Sequence, residues 1–297
     1  MAPPQFLTGT ASWTDPTLVK SDLFYPAGLR SAEQRLRFYA AQFPTVEVDS
    51  TYYALPAERN AQLWAERTPP GFIFNIKAFA LLTQHPADTA RLPAALRESL
   101  DPAARAAPRL RNPPDEILRL SFNMFWSALA PLQAAAKLGL LLFQFPPYFT
   151  RRRASLDYLA SLPERMPGAR IAVEFRHASW LAEDAVRAET LRFLAERGFT
   201  FVSIDTPPGT IPSFLEVTGP DAYIRFHGRN RDNWYRRDIS AAERYKYLYA
   251  ERELAQWAER LRALGDRGVS RAFVIFNNCY ANFGIMNATT MAQMLKR

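Results

Sequence analysis

A single cysteine, Cys279, leaves this chain unable to form an intramolecular disulfide, and it fits a reducing compartment. No His-x-His or Cys-x-x-Cys spacing fixes a set of metal ligands, and no metal is expected. There is no Gly-x-Gly-x-x-Gly and no phosphate-loop motif, so a nucleotide cofactor lacks support and none is expected. No apolar run approaches the ~20 residues needed to span a bilayer. The longest such run, 138–145, is a strand-sized segment. The opening Met1-Ala2-Pro3-Pro4-Gln5 lacks the charged and apolar regions of a secretory signal, and a cytoplasmic protein without a membrane partner is expected.

Lysine is also scarce. The basic residues are 32 arginines and only Lys20, Lys77, Lys137, Lys246 and Lys296. The net charge of +8 is concentrated in three stretches that read as loops after strands. Residues 84–114, 145–155 and 225–238 together hold thirteen arginines against five acids, which equals the whole excess. On one face those loops attract anions; separately they are solvated surface charge.

What the chain has in plenty is apolar residues, 48% of 297, enough for one large core. Short strand-like runs lie at 6–10, 45–49, 72–77, 139–145, 171–176, 200–205, 222–227 and 272–277. Helical periods fall between most of them, at 31–42, 57–67, 115–137, 154–162, 182–197 and 241–264, with 286–295 closing the chain. Alternation of this kind predicts a parallel sheet with helical crossovers, and eight strands predict a TIM-type (β/α)8 barrel in one domain over residues 1–297. Residues 206–220 hold four prolines and no helical period, so that crossover is predicted to be a loop. Residues 86–114 are predicted to be a long loop insertion, the kind that serves as a lid or binding loop.

Period-two alternation sorts the strand residues by face. It directs Glu47 and Asp49 toward the barrel axis, with Asn75 and Lys77, Gln144, Glu174 and Arg176, Ser203 and Asp205, Arg225 and His227, and Asn277. Barrel interiors are normally filled by branched apolar residues, and a buried charge without a partner costs several kcal/mol. A near-neutral set can pair within itself and brace the barrel. Its place near the strands' C-terminal ends, where barrels put their active sites, points instead to chemistry.

All three histidines lie just past a strand-like run: His85, His177 and His227. His227 suits a general acid or base, or a hydrogen bond to the barrel wall. His177 alternates outward and suits a cap, while His85 falls in or near the long loop. Lys77 suits a compact charge or a simple pair with Glu47. Cys279 reads as a small buried residue. Trp234 and Tyr235 sit among the arginines of 225–238, a mixture that suits phosphates and stacked bases, or a loop packed over the barrel mouth.

Ordered motifs along nearly the whole chain make a further point. They are Gly9-Thr10-Ala11-Ser12-Trp13, Phe24-Tyr25-Pro26, Val46-Glu47-Val48-Asp49-Ser50-Thr51-Tyr52-Tyr53, and Phe72, Phe74 and Lys77. Leu138-Gly139, Gln144-Phe145-Pro146-Pro147 and Val173-Glu174-Phe175-Arg176-His177-Ala178-Ser179-Trp180 follow. Tyr223, Arg225 and His227-Gly228, then Phe276-Asn277-Asn278 with Asn287-Ala288, complete the set. With these the chain resembles the YecE-like family, also called domain-of-unknown-function family 72. The resemblance implies a TIM-type barrel and supplies no activity. That family usually has Asn at the position of Asp49 and Gly at that of Ser12.

The sequence therefore predicts an enzyme that acts on a small, anionic, phosphate-bearing ligand by general acid–base hydrolysis or lysis at the C-terminal mouth of the barrel. Glu47, Asp49, Glu174, Asp205 and His227 are the acid–base candidates. Lys77, Gln144, Arg176, Arg225, Asn277 and Trp234 are the candidates for holding the ligand. Two alternatives stand beside it: a protein that binds single-stranded nucleic acid without catalysis, and a metal-dependent hydrolase.

Overall fold

Eight strands carry the architecture: β1 (Gln5–Thr10), β2 (Thr45–Val48), β3 (Ile73–Lys77), β4 (Leu138–Gln144), β5 (Ile171–Glu174), β6 (Thr200–Asp205), β7 (Asp221–Phe226) and β8 (Arg271–Phe276). A computed structural model describes residues 4–296. The strands lie side by side in the order β1-β8-β7-β6-β5-β4-β3-β2, every pair but β1 with β8 being consecutive in the sequence, with helices between most of them. This is the α/β fold of the TIM-barrel type. Strands covered on both faces read as near-continuous apolar runs, and β8 (Arg-Ala-Phe-Val-Ile-Phe) is buried from Ala272 onward.

The chain divides into two compact units. The first takes the chain up to Glu47, Arg67–Ile73 and everything from Leu191. Here β1 pairs in parallel with β8 from Gln5–Arg271 to Thr10–Phe276, and β8 with β7 from Arg271–Asp221 to Phe276–Phe226. Past the end of β1, Ala11 bridges to Glu47 of β2. Gly9 permits that approach, because a Cβ there would lie 2.2 Å from the Thr45 carbonyl oxygen. Helix α1 (Ala32–Gln42) opens on a reciprocal Ser31/Gln34 cap, and its buried Tyr39 hydroxyl accepts from the Thr10 amide at 2.8 Å.

The second unit comprises Val48–Glu66 and Phe74–Thr190. It holds β4 and β5, most of β3, and helices α2 (Glu58–Glu66), α3 (Asp115–Ser127) and α4 (Arg153–Arg165). Its packing is anchored by a run of stacked rings: Phe145 on Phe149 at 4.1 Å, Phe149 on Trp180 at 5.5 Å, and Trp180 on Phe175 at 4.1 Å. The indole of Trp180 also donates to the Phe149 carbonyl at 2.7 Å.

Some predicted elements are redrawn. The helix expected over 115–137 stops at Ser127 and restarts as Ala130–Ala134, because Pro131 has no amide proton to give the Ser127 carbonyl and its ring crowds that oxygen, while it is well suited to the first turn of the new helix. The helix expected over 182–197 is α5 (Asp184–Ala195), whereas that expected over 241–264 is a single turn, Ala241–Arg244, followed by α6 (Glu251–Arg262). Between them, Tyr247 and Tyr249 are drawn into tertiary hydrogen bonds that override the helical period. The closing helix α7 runs Phe283–Leu295, three residues earlier than expected.

Residues 86–114 contain a short antiparallel ladder, Ala87–Asp88 against Arg109–Leu110, and two small helices, Ala94–Glu98 and Pro102–Ala106. They are therefore not a bare loop. Between β6 and β7 there is no helix. That crossover is tied down by the Phe201 amide to Thr218 Oγ1 at 2.8 Å. Among the described residues, no helix is long and apolar enough to cross a membrane.

Candidate functional site

The second unit gathers a cationic cluster at the C-terminal ends of β3 and β5. Lys77 ends β3, and its Nζ lies 4.7 Å from the centre of the Tyr52 ring. The other side of the cluster is built on β5, whose last residue, Glu174, is fully buried. Arg176, two residues on, donates through Nε to Glu174 Oε1 and reaches Gln144 Oε1 of β4 at 3.5 Å. Glu174 and Gln144 are register partners, so the pairing of β4 with β5 positions both acceptors for one guanidinium.

His85 completes this cluster. Its ring lies edge-on to Tyr52 at 5.2 Å and to Tyr148 at 6.5 Å. The Thr83 hydroxyl donates to the Ala80 carbonyl at 3.1 Å and lies 2.9 Å from His85 Nδ1. With its one proton committed to Ala80, that hydroxyl accepts from Nδ1–H. The Nε2 lone pair then has no hydrogen-bond partner among the described residues. Burial, with the charges of Lys77 and Arg176 added to it, pushes the imidazole pKa down to about 4. His85 is therefore neutral at pH 7 and stands in a positive field.

Asn75, also expected inward, is fully buried on β3, where its Oδ1 accepts from the Leu140 amide at 2.9 Å. This bond spans the register shift between β3 and β4, which gives Asn75 a structural task. Asp49 lies just past the end of β2, with helical backbone and a half-exposed side chain, so strand parity does not set its direction.

In the first unit, the polar residues of β2 and β7 meet in a buried cluster. Arg225 donates through Nε to Glu47 Oε2 at 2.9 Å and through NH2 to Oε1 at 2.6 Å, and Tyr223 donates to Oε2 at 2.8 Å. Glu47 is fully buried and Arg225 is 1% exposed. His227, fully buried past the end of β7, has its Nδ1 2.8 Å from Asn277 Nδ2 and its Nε2 3.5 Å from Arg225. Trp234 and Tyr245 lie over it, with ring centres 6.5 and 5.9 Å away. The half-buried Trp234 thus packs on the histidine, while neighbouring Tyr235 is 73% exposed.

Asp205 and Ser203 require a correction. The pairing of β6 with β7 places Ser203 beside Ile224 and Asp205 beside Phe226, opposite in face to Tyr223 and Arg225. Both therefore turn away from the Glu47 cluster. The Asp205 carboxylate accepts from Trp257 Nε1 of α6 at 2.7 Å, from the Tyr249 hydroxyl at 2.8 Å, and from Arg229 Nε and NH2 at 2.8 and 2.6 Å. These bonds hold Arg229 firmly protonated, and burial together with the Asp205 charge pushes the Tyr249 phenol upward. Gly228 serves the same network: its amide donates to Tyr249 at 2.9 Å, and a Cβ there would meet Tyr247 at 2.8 Å.

Two remaining residues take local roles. His177 caps the short helix Ala178–Trp180, its Nδ1 accepting from the Ser179 amide at 3.1 Å. Cys279 Sγ donates to the Ala11 carbonyl at 3.0 Å. No group of three or more His, Cys, Asp or Glu side chains is placed to hold a metal among the described residues.

The arginine-rich stretches are partly neutralised by acids from elsewhere in the chain. Arg151 pairs with Glu189, Arg153 with Asp157, and Arg229 with Asp205 and Glu253. Arg91 pairs with Asp88 and Arg236 with Asp238 inside their own stretches.

The strand order and the polar residues past the strand ends define an α/β barrel protein of the TIM type. The profile described as "Protein of unknown function DUF72" matches residues 7–297, and the chain belongs to that family. It is 29% identical over 294 residues to the UPF0759 protein YunF of Bacillus subtilis (strain 168), spanning 97% of this chain and 93% of that protein. A DUF72 family protein from Thermotoga maritima MSB8 superposes with a TM-score of 0.76 at 33% identity, over 99% of this chain and all of that one. Another, from Enterococcus faecalis V583, has a TM-score of 0.76 at 24% identity over 99% of this chain and 96% of that one, and bears on the fold alone.

Proposed function

We propose that the chain is an enzyme that binds a small, phosphate-bearing anion at the Lys77–Arg176–His85 cluster and hydrolyses or lyses it by general acid–base catalysis. The observation that carries this reading is the gathering of Lys77, Arg176 and His85 around Tyr52 and Gln144 at the C-terminal ends of β3 and β5, where burial, with the two cations added to it, holds the histidine neutral. Lys77 supplies a compact charge for the anion, and Arg176, oriented by Glu174 and Gln144, supplies a planar fork. His85 Nε2 is the proton acceptor. A pKa near 4 makes it a weak base in the unliganded protein. An anion that neutralises the surrounding charge raises that pKa toward the working pH, so the base is activated where the ligand is bound.

Glu47, Glu174 and Asp205 each hold a guanidinium, which suits them to positioning rather than proton transfer. The small-anion reading is preferred to nucleic-acid binding because Trp234 packs on His227 and most of the nearby arginines are paired. Millimolar phosphate should raise the melting temperature by several degrees, since saturation to about 100 times Kd stabilises by about 2.7 kcal/mol. Lys77→Gln should lose that rise. Equal melting curves with and without phosphate, in the parent chain and in Lys77→Gln alike, would remove the anion site.

A further inference from the structure

Beside the cationic cluster the second unit has a hollow of about 280 Å3, lined in part by Tyr52, Tyr53, Pro86, Asp88, Arg91 and Arg109. Tyr52 belongs to both places: one contact is Lys77 over its ring at 4.7 Å, and another is the edge of His85 at 5.2 Å. Tyr53 stands perpendicular to Tyr52, with ring centres 5.1 Å apart, and is 54% exposed. Such an exposed ring is a stacking surface, and Arg91 and Arg109 line the same hollow with groups of a kind that also stack on π-systems.

Asp88 argues against a phosphate inside the hollow, because this acidic residue is part of the wall, its carboxylate 3.5 Å from Arg91. The volume sits near the lower end of small-molecule pockets, about 300–1,000 Å3, and suits one ring system rather than a polymer. From this we infer that the phosphate is carried on a planar aromatic group, an aryl or mononucleotide ring, which stacks on Tyr53 in this hollow. The phosphate itself lies at Lys77 and His85. The inference rests on the anion reading above and names the substrate class of that site.

Binding of inorganic phosphate, ribose 5-phosphate, phenyl phosphate and adenosine 5′-monophosphate by calorimetry tests it. The two aromatic phosphates should bind about tenfold tighter than ribose 5-phosphate. Tyr53→Ala should erase that advantage and leave inorganic phosphate unchanged. Because Tyr53 is more than half exposed, the variant is expected to fold. If all the phosphates bind alike, or if Tyr53→Ala keeps the aromatic advantage, the aromatic inference is overturned and the anion site stands. If none of them binds, the anion site falls as well.

Discussion

Replacing Arg225 with methionine should cost the fold about 3–5 kcal/mol, because it strands a buried carboxylate. Glu47 is fully buried and receives two guanidinium bonds, with the Tyr223 hydroxyl as a third donor. Once the guanidinium is gone, that buried charge loses the counter-charge paired with it and has no solvent to replace it. Glu47→Gln should cost less, since the amide still offers an acceptor to Arg225 and Tyr223. The double variant Glu47→Gln/Arg225→Met should be more stable than Arg225→Met alone. Urea midpoints at constant slope measure all three. If Arg225→Met unfolds at the parent midpoint, the pair is not the brace described here, and Arg225 returns to the candidates for holding ligand.

An effect of similar size is expected at Asp205, for the opposite reason. Here one carboxylate satisfies four donors from three elements: the indole of Trp257, the Tyr249 hydroxyl and both nitrogens offered by Arg229. Asp205→Ala leaves the buried indole and phenol unpaired, and the loss should be about 4 kcal/mol or more. Asp205→Asn, which keeps one acceptor and introduces a donor among donors, should fall between. Hydrogen exchange should locate the damage in α6 and in the segment around Tyr247 and Tyr249. Parent-like stability in Asp205→Ala would show that the network contributes nothing, and would reopen an acid–base role for this residue.

The two networks show what strand patterning can and cannot reveal. Alternation groups residues by face, and it correctly joined Glu47 on one strand and Arg225 on another to a common cluster. It does not say which face is which when both are buried. On β6 every residue is buried, so Ser203 and Asp205 gave no exposure contrast to orient them. Asp205 is held by donors 24 to 52 positions later in the chain, at Arg229, Tyr249 and Trp257, and Ser203 by the backbone of Glu216, 13 positions later. Similar separations, 38 and 24 positions, hid the partners of Arg151 and Arg229, Glu189 and Glu253, whereas Asp157 lies only four residues past Arg153.

The surroundings of His85 were the least legible in the sequence. Its position after a strand was legible, but its environment comes from Thr83, Tyr52, Lys77 and Arg176, which only the fold assembles around it. The local signal was Thr83 two residues before it, a spacing that lets a hydroxyl set the imidazole tautomer.

His85 also gives the most direct test of the cationic cluster. With three histidines in the chain, each imidazole can be followed separately by proton NMR and assigned through His85→Asn. Without added anion, His85 should titrate near 4. Sulfate keeps its double charge across this range, and saturating sulfate should favour the imidazolium and raise that pKa by about 1 unit or more. By linkage, sulfate affinity should strengthen as the pH falls through the bound-state pKa. Lys77→Gln should raise the anion-free pKa and weaken the response to sulfate. A His85 that titrates near the ordinary histidine value, and does so identically with and without sulfate, would contradict the account.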